Sequence, residues 1–191
     1  MYSFDSTVRY SETDEKGTLS MTSLINYLQD CSTFQSEHLG VGLDYLKKNH
    51  IGWFLAAWLI EIPDLPRFGD PITVSTWAYG FRGIYGLRNF TIRGPGGKEY
   101  VRADSLWFLF DTEAGKPVRL EEKDTAPYLR ERAPRLDMPE LERKIDVGGE
   151  GRPAPEIIVA KHHLDTNHHV NNAQYVEMAR ESVAEIGRAH V

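Results

Sequence analysis

MTSLINYLQDCSTFQSEHLG, residues 21 to 40, is the stretch on which the fold turns. Leu24, Tyr27, Leu28, Cys31, Phe34 and His38 recur there at three- and four-residue steps. That spacing predicts one long helix with a mostly apolar face. Ser20 stands in front of it as an N-cap, where a hydroxyl can accept an orphan backbone N–H. Gly40 and Gly42 end the helix, and LDYLKKNH (43–50) reads as a short second helical piece.

Outward from this helix the pattern changes. Residues 2 to 10 read as a first strand that runs into the polar turn SETDEKG. Downstream, GWFLAAWLIEI, DPITVSTWAYGF, GLRNFTIRG and EYVRADSLWFLFD are rich in β-branched and aromatic residues. PDLPRFGD, RGIY and GPGGK separate them as turns, and PGG should close a hairpin. PVRL (117–120) is a short last strand. One strand, one long helix and about four antiparallel strands form an α+β pattern. A sheet curled round the helix would bury both that helix and the apolar strand at 53–60.

The totals restrict the function classes. The chain has 191 residues, 41% hydrophobic and 26% charged, an ordinary globular balance. WFLAAWLI (53–60) is too short to span a bilayer, and no signal peptide is evident. A single cysteine, Cys31, rules out an internal disulfide framework and suits a reducing compartment, so the cytoplasm is expected. The net charge of −6 argues against a nucleic-acid partner.

Three segments follow from the composition: a first domain at 1–120, a charged Pro/Gly linker at 121–154, and a second segment at 155–191. A short helix is expected around YLRER inside the linker. In the last segment PEIIVAKHH is a strand candidate, HLDTNHHV a turn, and NNAQYVEMARESVAEI a helix capped by Asn171. That order repeats the beginning. Asp14 falls on Asp165 at an offset of 151, Ser20 on Asn171 and Leu24 on Tyr175. The second segment stops where the first helix would end, before any sheet strand. The missing strands, about 80 residues by the internal repeat, are expected downstream or from a partner, and a homodimer is one such source.

HHLDTNHHVNNAQY (162–175) holds four of the seven histidines. It can be read as a metal site, a catalytic centre or a polar turn. Adjacent pairs (His162–His163, His168–His169) point to opposite faces of an extended chain, and no cysteine accompanies them, so no metal is assigned. Asp165 and Asn171 can equally be turn and cap residues.

FGDPITVSTWAYGFRGIYGLRNFTI (68–92), VRADSLWFLFDTEAGKPVRL (101–120) and LDTNHHVNNAQYVE (164–177) resemble the acyl-acyl-carrier-protein (acyl-ACP) thioesterases of plant and bacterial type. The resemblance implies a hotdog fold, a long helix wrapped by an antiparallel sheet, present as a complete first copy plus the strand–helix start of a second. It implies hydrolysis of fatty acyl-ACP to free fatty acid and carrier protein, ending fatty acid synthesis, without a cofactor. The family's D-x-N-x-H-V-N-N signature places catalytic Asp165, Asn167 and His169. The first copy resembles single-domain hotdog thioesterases at VRYSETDEKGTL. Lys16 and Thr18 stand there at the positions of Asn167 and His169, so that half is expected to be non-catalytic. A further acidic or cysteine residue of the family lies beyond Val191. Two other readings stay open: a hotdog acyl-CoA thioesterase, and a non-catalytic acyl- or carrier-binding protein.

The residue types suit that chemistry. A neutral imidazole can take a proton from water near neutral pH, and an amide can orient water or donate to an oxyanion. The helix starting after Asn171 adds free N–H donors and positive dipole. Trp53, Phe54, Trp58 and Trp77 are candidates for the acyl slot, although apolar strands are commonly plain core. Carrier proteins are acidic, so Arg82, Arg88, Arg93 and Arg102 are candidates for docking one.

Overall fold

The computed structural model describes residues 1–144, 148, 156–165 and 168–182. Strand β1 (Tyr2–Thr7) leads into helix α1 (Met21–His38) and the short α2 (Leu43–Lys48). Strands β2 (Ile51–Glu61), β3 (Pro71–Arg82), β4 (Tyr85–Arg93), β5 (Glu99–Asp111) and β6 (Lys116–Pro117) follow. Helices α3 (Glu122–Leu129) and α4 (Asn172–Ser182) complete the described elements. The strands pair antiparallel in the order β1-β3-β4-β5-β2, with β6 on β5. The expected α+β arrangement is present, with α1 lying against one sheet face.

Ser20 caps α1, its Oγ accepting from Ser23 N at 3.2 Å. Leu24, Leu28 and Cys31 are fully buried against Val74, Phe90, Ile92 and Ala103 of the sheet. Each such aliphatic side chain contributes about 1.5–3 kcal/mol when removed from water. The far end of the helix departs from the sequence reading. Phe34 is 46% exposed, packing edge-on to Phe4, whereas Gln35 and Ser36 are buried. The polar pair turns inward because partners wait there: Arg88 donates to Gln35 Oε1, and Ser36 Oγ shares a hydrogen bond of 2.8 Å with Tyr128 OH.

Register slips at Leu55/Ala57 in β2 and Ala78/Gly80 in β3 mark bulges that curl the sheet. Strand β2 is an edge strand and is half-buried along its whole length. The expectation that the sheet buries the strand at 53–60 is therefore met only in part, since an edge has a neighbour on one side only. The last strand shrinks from PVRL to Lys116–Pro117. Residues 156–160 form no ladder, and Ile158 is 82% exposed. The first copy's β1 is a strand because β3 pairs with it, and among the described residues nothing pairs with 156–160.

Beyond β6 the chain returns to the sheet. Helix α3 begins earlier than YLRER and buries Tyr128, with Asp124 accepting from Glu121 N at 3.2 Å and from Tyr45 OH at 3.2 Å. Trp77, Asn89 and Asp104 are aligned across β3, β4 and β5 on the face away from α1. Residues 134–139 lie over them. Trp77 Nε1 donates to Pro134 O (2.9 Å) and Leu136 N to Asn89 Oδ1 (2.9 Å). Arg135 reaches the fully buried Asp104 carboxylate at 3.1 and 3.2 Å, and Tyr79 OH donates to the same group at 3.0 Å. Burial, and then Asp104 beside it, push the Tyr79 phenol up to about 12.

Candidate active site

The site is built on the turn between Leu164 and Val170, which pair as an isolated antiparallel bridge. Asp165 N donates to His169 O at 2.8 Å, and His169 N donates back to Asp165 Oδ1 at 3.1 Å. His168 takes the tip with φ +61°, a left-handed conformation that a side chain disfavours. Asn171 N donates to His163 O (2.9 Å), and Asn171 Oδ1 accepts from Ala173 N (2.8 Å), capping α4 as the sequence suggests. Asn167 and residues 183–186 of the expected helix lie outside the described residues.

Helix α4 packs beside α1, so the turn is delivered to the first copy. A cleft of about 1270 Å³ opens there. Asp165 and His169 stand on one wall, Trp53 and Phe54 of β2 on another, and Gln29 and Ser36 of α1 on a third. The His169 ring lies 5.8 Å from that of Phe54. Two of the four aromatic residues expected at the acyl slot are thus at the cleft. Trp58 is instead packed into the core between Phe90 (5.1 Å) and Trp107 (6.1 Å). Trp77 faces the opposite side of the sheet under Pro134. Both are corrected, for different reasons: the period-two alternation turns Trp77 to the sheet face opposite the cleft, whereas Trp58 lies further along β2 and is used up in the core.

The four arginines do not form a patch. Arg88 is 9% exposed and faces α1, with Nη1 donating to Thr76 Oγ1 at 3.0 Å and its guanidinium 5.3 Å from the Tyr128 ring centre. Its expected docking role is corrected, because a buried guanidinium cannot meet a carrier. Arg82 sits at the β3–β4 hairpin and Arg93 at the far end of β4, about 26 Å away for eight steps along a strand. Arg93 pairs with Glu99 at 3.4 Å, and Arg102 pairs with Glu61.

Other titratable groups narrow the chemistry. Burial, only partly offset by Arg88, pushes the Cys31 thiol up to about 12, and Cys31 donates to Val74 O at 3.6 Å. His162 and His163 contact one another, and His163 Nδ1 accepts from Ala160 N at 3.0 Å. Among the described residues no group of three or more His, Cys, Asp or Glu side chains is placed to hold a metal ion. The sequence reading missed the cleft's helical wall: Gln29, Ser32, Thr33 and Ser36. Their i, i+3, i+4, i+7 spacing is a second, polar stripe on α1 that was open to be read.

Residues 1–128 match the family described as Acyl-ACP thioesterase N-terminal domain. The chain belongs to the acyl-ACP thioesterase family. An oleoyl-acyl carrier protein thioesterase of Arabidopsis thaliana is 26% identical over 191 residues, covering 92% of this chain and 53% of the relative. This member of the acyl-ACP thioesterase family spans about half the length of the curated relatives it matches. A solved Lactobacillus plantarum protein described as an oleoyl thioesterase superposes with a TM-score of 0.85 at 24% identity, covering 95% of this chain and 71% of that one. The 12:0-ACP thioesterase of Umbellularia californica gives 0.73 at 19% identity, covering 95% and 74%. The fold is the hotdog fold of these thioesterases. No described helix is long and apolar enough to cross a membrane.

Proposed function

We propose that this chain takes part in hydrolysing fatty acyl-ACP to free fatty acid and carrier protein, with Asp165, Asn167 and His169 as the catalytic set. One observation carries the reading: the signature turn opens onto a cleft whose other walls come mainly from α1 and strands β2 to β5. Trp53 and Phe54 supply apolar surface for the acyl chain.

In this reading His169 takes a proton from water as the water oxygen attacks the acyl carbon. The carbon–sulfur bond then breaks, and the proton passes to the leaving thiolate, giving free acid and carrier thiol. Asp165 fixes the turn by accepting from His169 N. Asn167 is assigned the oxyanion or water contact, helped by the positive end of α4. Cys31 is excluded as nucleophile because its thiolate is strongly disfavoured and its sulfur is buried. The carrier would meet Arg93 and Arg102, in part by competing with Glu99 and Glu61 for them, and Arg82 only as a separate contact at the other end of β4. The cytoplasm and a homodimer belong to the same proposal, and a monomer mass by light scattering would count against the dimer.

The test compares matched acyl-ACP and acyl-CoA substrates with the wild-type protein and His169→Ala. Faster turnover of acyl-ACP, lost in the variant, supports the reading. Equal release of thiol by both proteins overturns the assignment of His169, and a preference for acyl-CoA overturns the carrier.

A further inference from the structure

Gln29 lies on α1, in the half of the molecule that carries none of the signature residues. Its carboxamide uses both ends on the other half. Nε2 donates to Asn171 Oδ1 at 3.3 Å, and Oε1 accepts from Asn172 Nδ2 at 2.9 Å. Side-chain amides can be turned end for end without changing their shape, so their orientation needs an independent anchor. Here the backbone supplies it. Ala173 N donates to Asn171 at 2.8 Å, which requires an oxygen at that position. An oxygen on Asn171 requires the NH2 end of Gln29 to face it, and the Gln29 oxygen is then left for Asn172.

The consequence reaches the turn through the backbone. Asn171 caps α4 and donates its own N–H to His163 O at 2.9 Å, so it ties the helix start to the residue preceding the Leu164–Val170 bridge. His169 is two residues from that cap and faces the same cleft as Gln29. The other side-chain bond across the helix pair, Thr22 Oγ1 to Glu177 Oε2 at 3.0 Å, lies more than a turn further along α4 and touches neither the turn nor the cleft. Residues 29 and 171 therefore form the one side-chain tie, among the described residues, that connects the first copy to the catalytic turn's own helix cap.

Resting on the thioesterase reading above, we infer that Gln29 is a positioning residue for the reaction, holding Asn171 and Asn172 so that the Asp165–His169 turn keeps its place over the acyl cleft. It acts through the cap and does not touch the reacting atoms. The first copy thereby contributes to turnover as well as to the pocket.

Three variants of the protein test this. Gln29→Met keeps length and loses both bonds. Gln29→Glu keeps shape and polarity but sets an acceptor against Asn171 Oδ1. Thr22→Val loosens the same helix pair away from the turn. Both Gln29 variants are expected to lower kcat about 10- to 100-fold with KM within about 3-fold, the scale expected when a group is misplaced by about 1 Å. Amide hydrogen exchange should speed up at Asn171–Ala173 in both, while Thr22→Val leaves kcat and these amides as in wild type. The inference is overturned if Gln29→Met turns over at the wild-type rate, if Gln29→Glu restores it, or if Thr22→Val produces the same losses. Should the wild-type protein hydrolyse no acyl-ACP, the thioesterase reading fails by itself, and the exchange at Ala173 still decides whether Gln29 holds the cap.

Discussion

The turn at residues 13–20 and the turn at 164–171 are the same device used twice. Thr13 bridges Leu19 as Leu164 bridges Val170. Asp14 accepts from Thr18 N at 3.1 Å as Asp165 accepts from His169 N at 3.1 Å. Ser20 N reaches back to Glu12 O as Asn171 N reaches back to His163 O, both at 2.9 Å. Even the left-handed tip recurs, at Gly17 (φ +71°) and His168 (φ +61°). The backbone is held in common, and the side chains differ where chemistry would need them to. The first turn has a threonine whose hydroxyl donates to its own aspartate at 3.1 Å, and the second has an imidazole facing a cleft.

The largest expected effect separates the two turns by activity. His169→Ala should lower kcat for acyl-ACP hydrolysis by about 10²–10⁴-fold, the range for losing a general base, while Thr18→Ala stays within about 2-fold. A comparable loss in Thr18→Ala would break the division of labour. Exchanging the aspartates comes next. Asp165→Ala is expected to abolish most turnover, whereas Asp14→Ala should leave turnover largely intact and lower the unfolding free energy from denaturant titration by about 1 kcal/mol for its lost hydrogen bonds.

The tips give a smaller effect of opposite sign. Gly17→Ala is expected to destabilise and His168→Gly to stabilise, each by about 1 kcal/mol, because only glycine adopts that conformation without steric cost. Thermal unfolding of both variants measures it. His168→Gly should also retain activity, since the sequence leaves His168 outside the catalytic set.

The smallest effect is on acid stability. Burial alone would raise the Asp14 carboxyl, but bonds from Thr18 and Lys16 outweigh it and hold the group below its ordinary value. A depressed carboxyl contributes stability above the ordinary carboxylate range and loses it as pH falls through its folded value. Unfolding free energy should therefore drop slightly more steeply below about pH 4 in wild type than in Asp14→Asn, with the effect kept small by solvent screening.

The sequence disclosed the parts that repeat locally. The helix at 21–38, its Ser20 cap, the four long strands and the duplicated turn each follow from spacing, turn chemistry or register. What stayed hidden depends on neighbours distant in the chain. Trp58 and Trp77 look like pocket residues in any strand-level reading, yet core packing for Trp58 and sheet face for Trp77 keep them from the cleft. Arg88 looks like a surface cation until Gln35 and Thr76 are brought to it from α1 and β3. At the candidate site the signature residues were legible because they lie within one turn. Gln29 was not, because its partners lie 142 and 143 positions away.

The grip of Trp77, Asn89 and Asp104 on residues 134–139 also bears on how the turn at 164–171 reaches α1. Pinning residues 134–139 to the back of the sheet shortens the stretch of chain that has to be closed before the second turn, and the entropic cost of closing a loop falls slowly with its length. The same clasp raises the local concentration of the second turn at α1. Arg135→Ala, which removes one of the three holds and leaves the buried Asp104 carboxylate without its cation, would therefore weaken the clasp and loosen the docking of the second turn against α1.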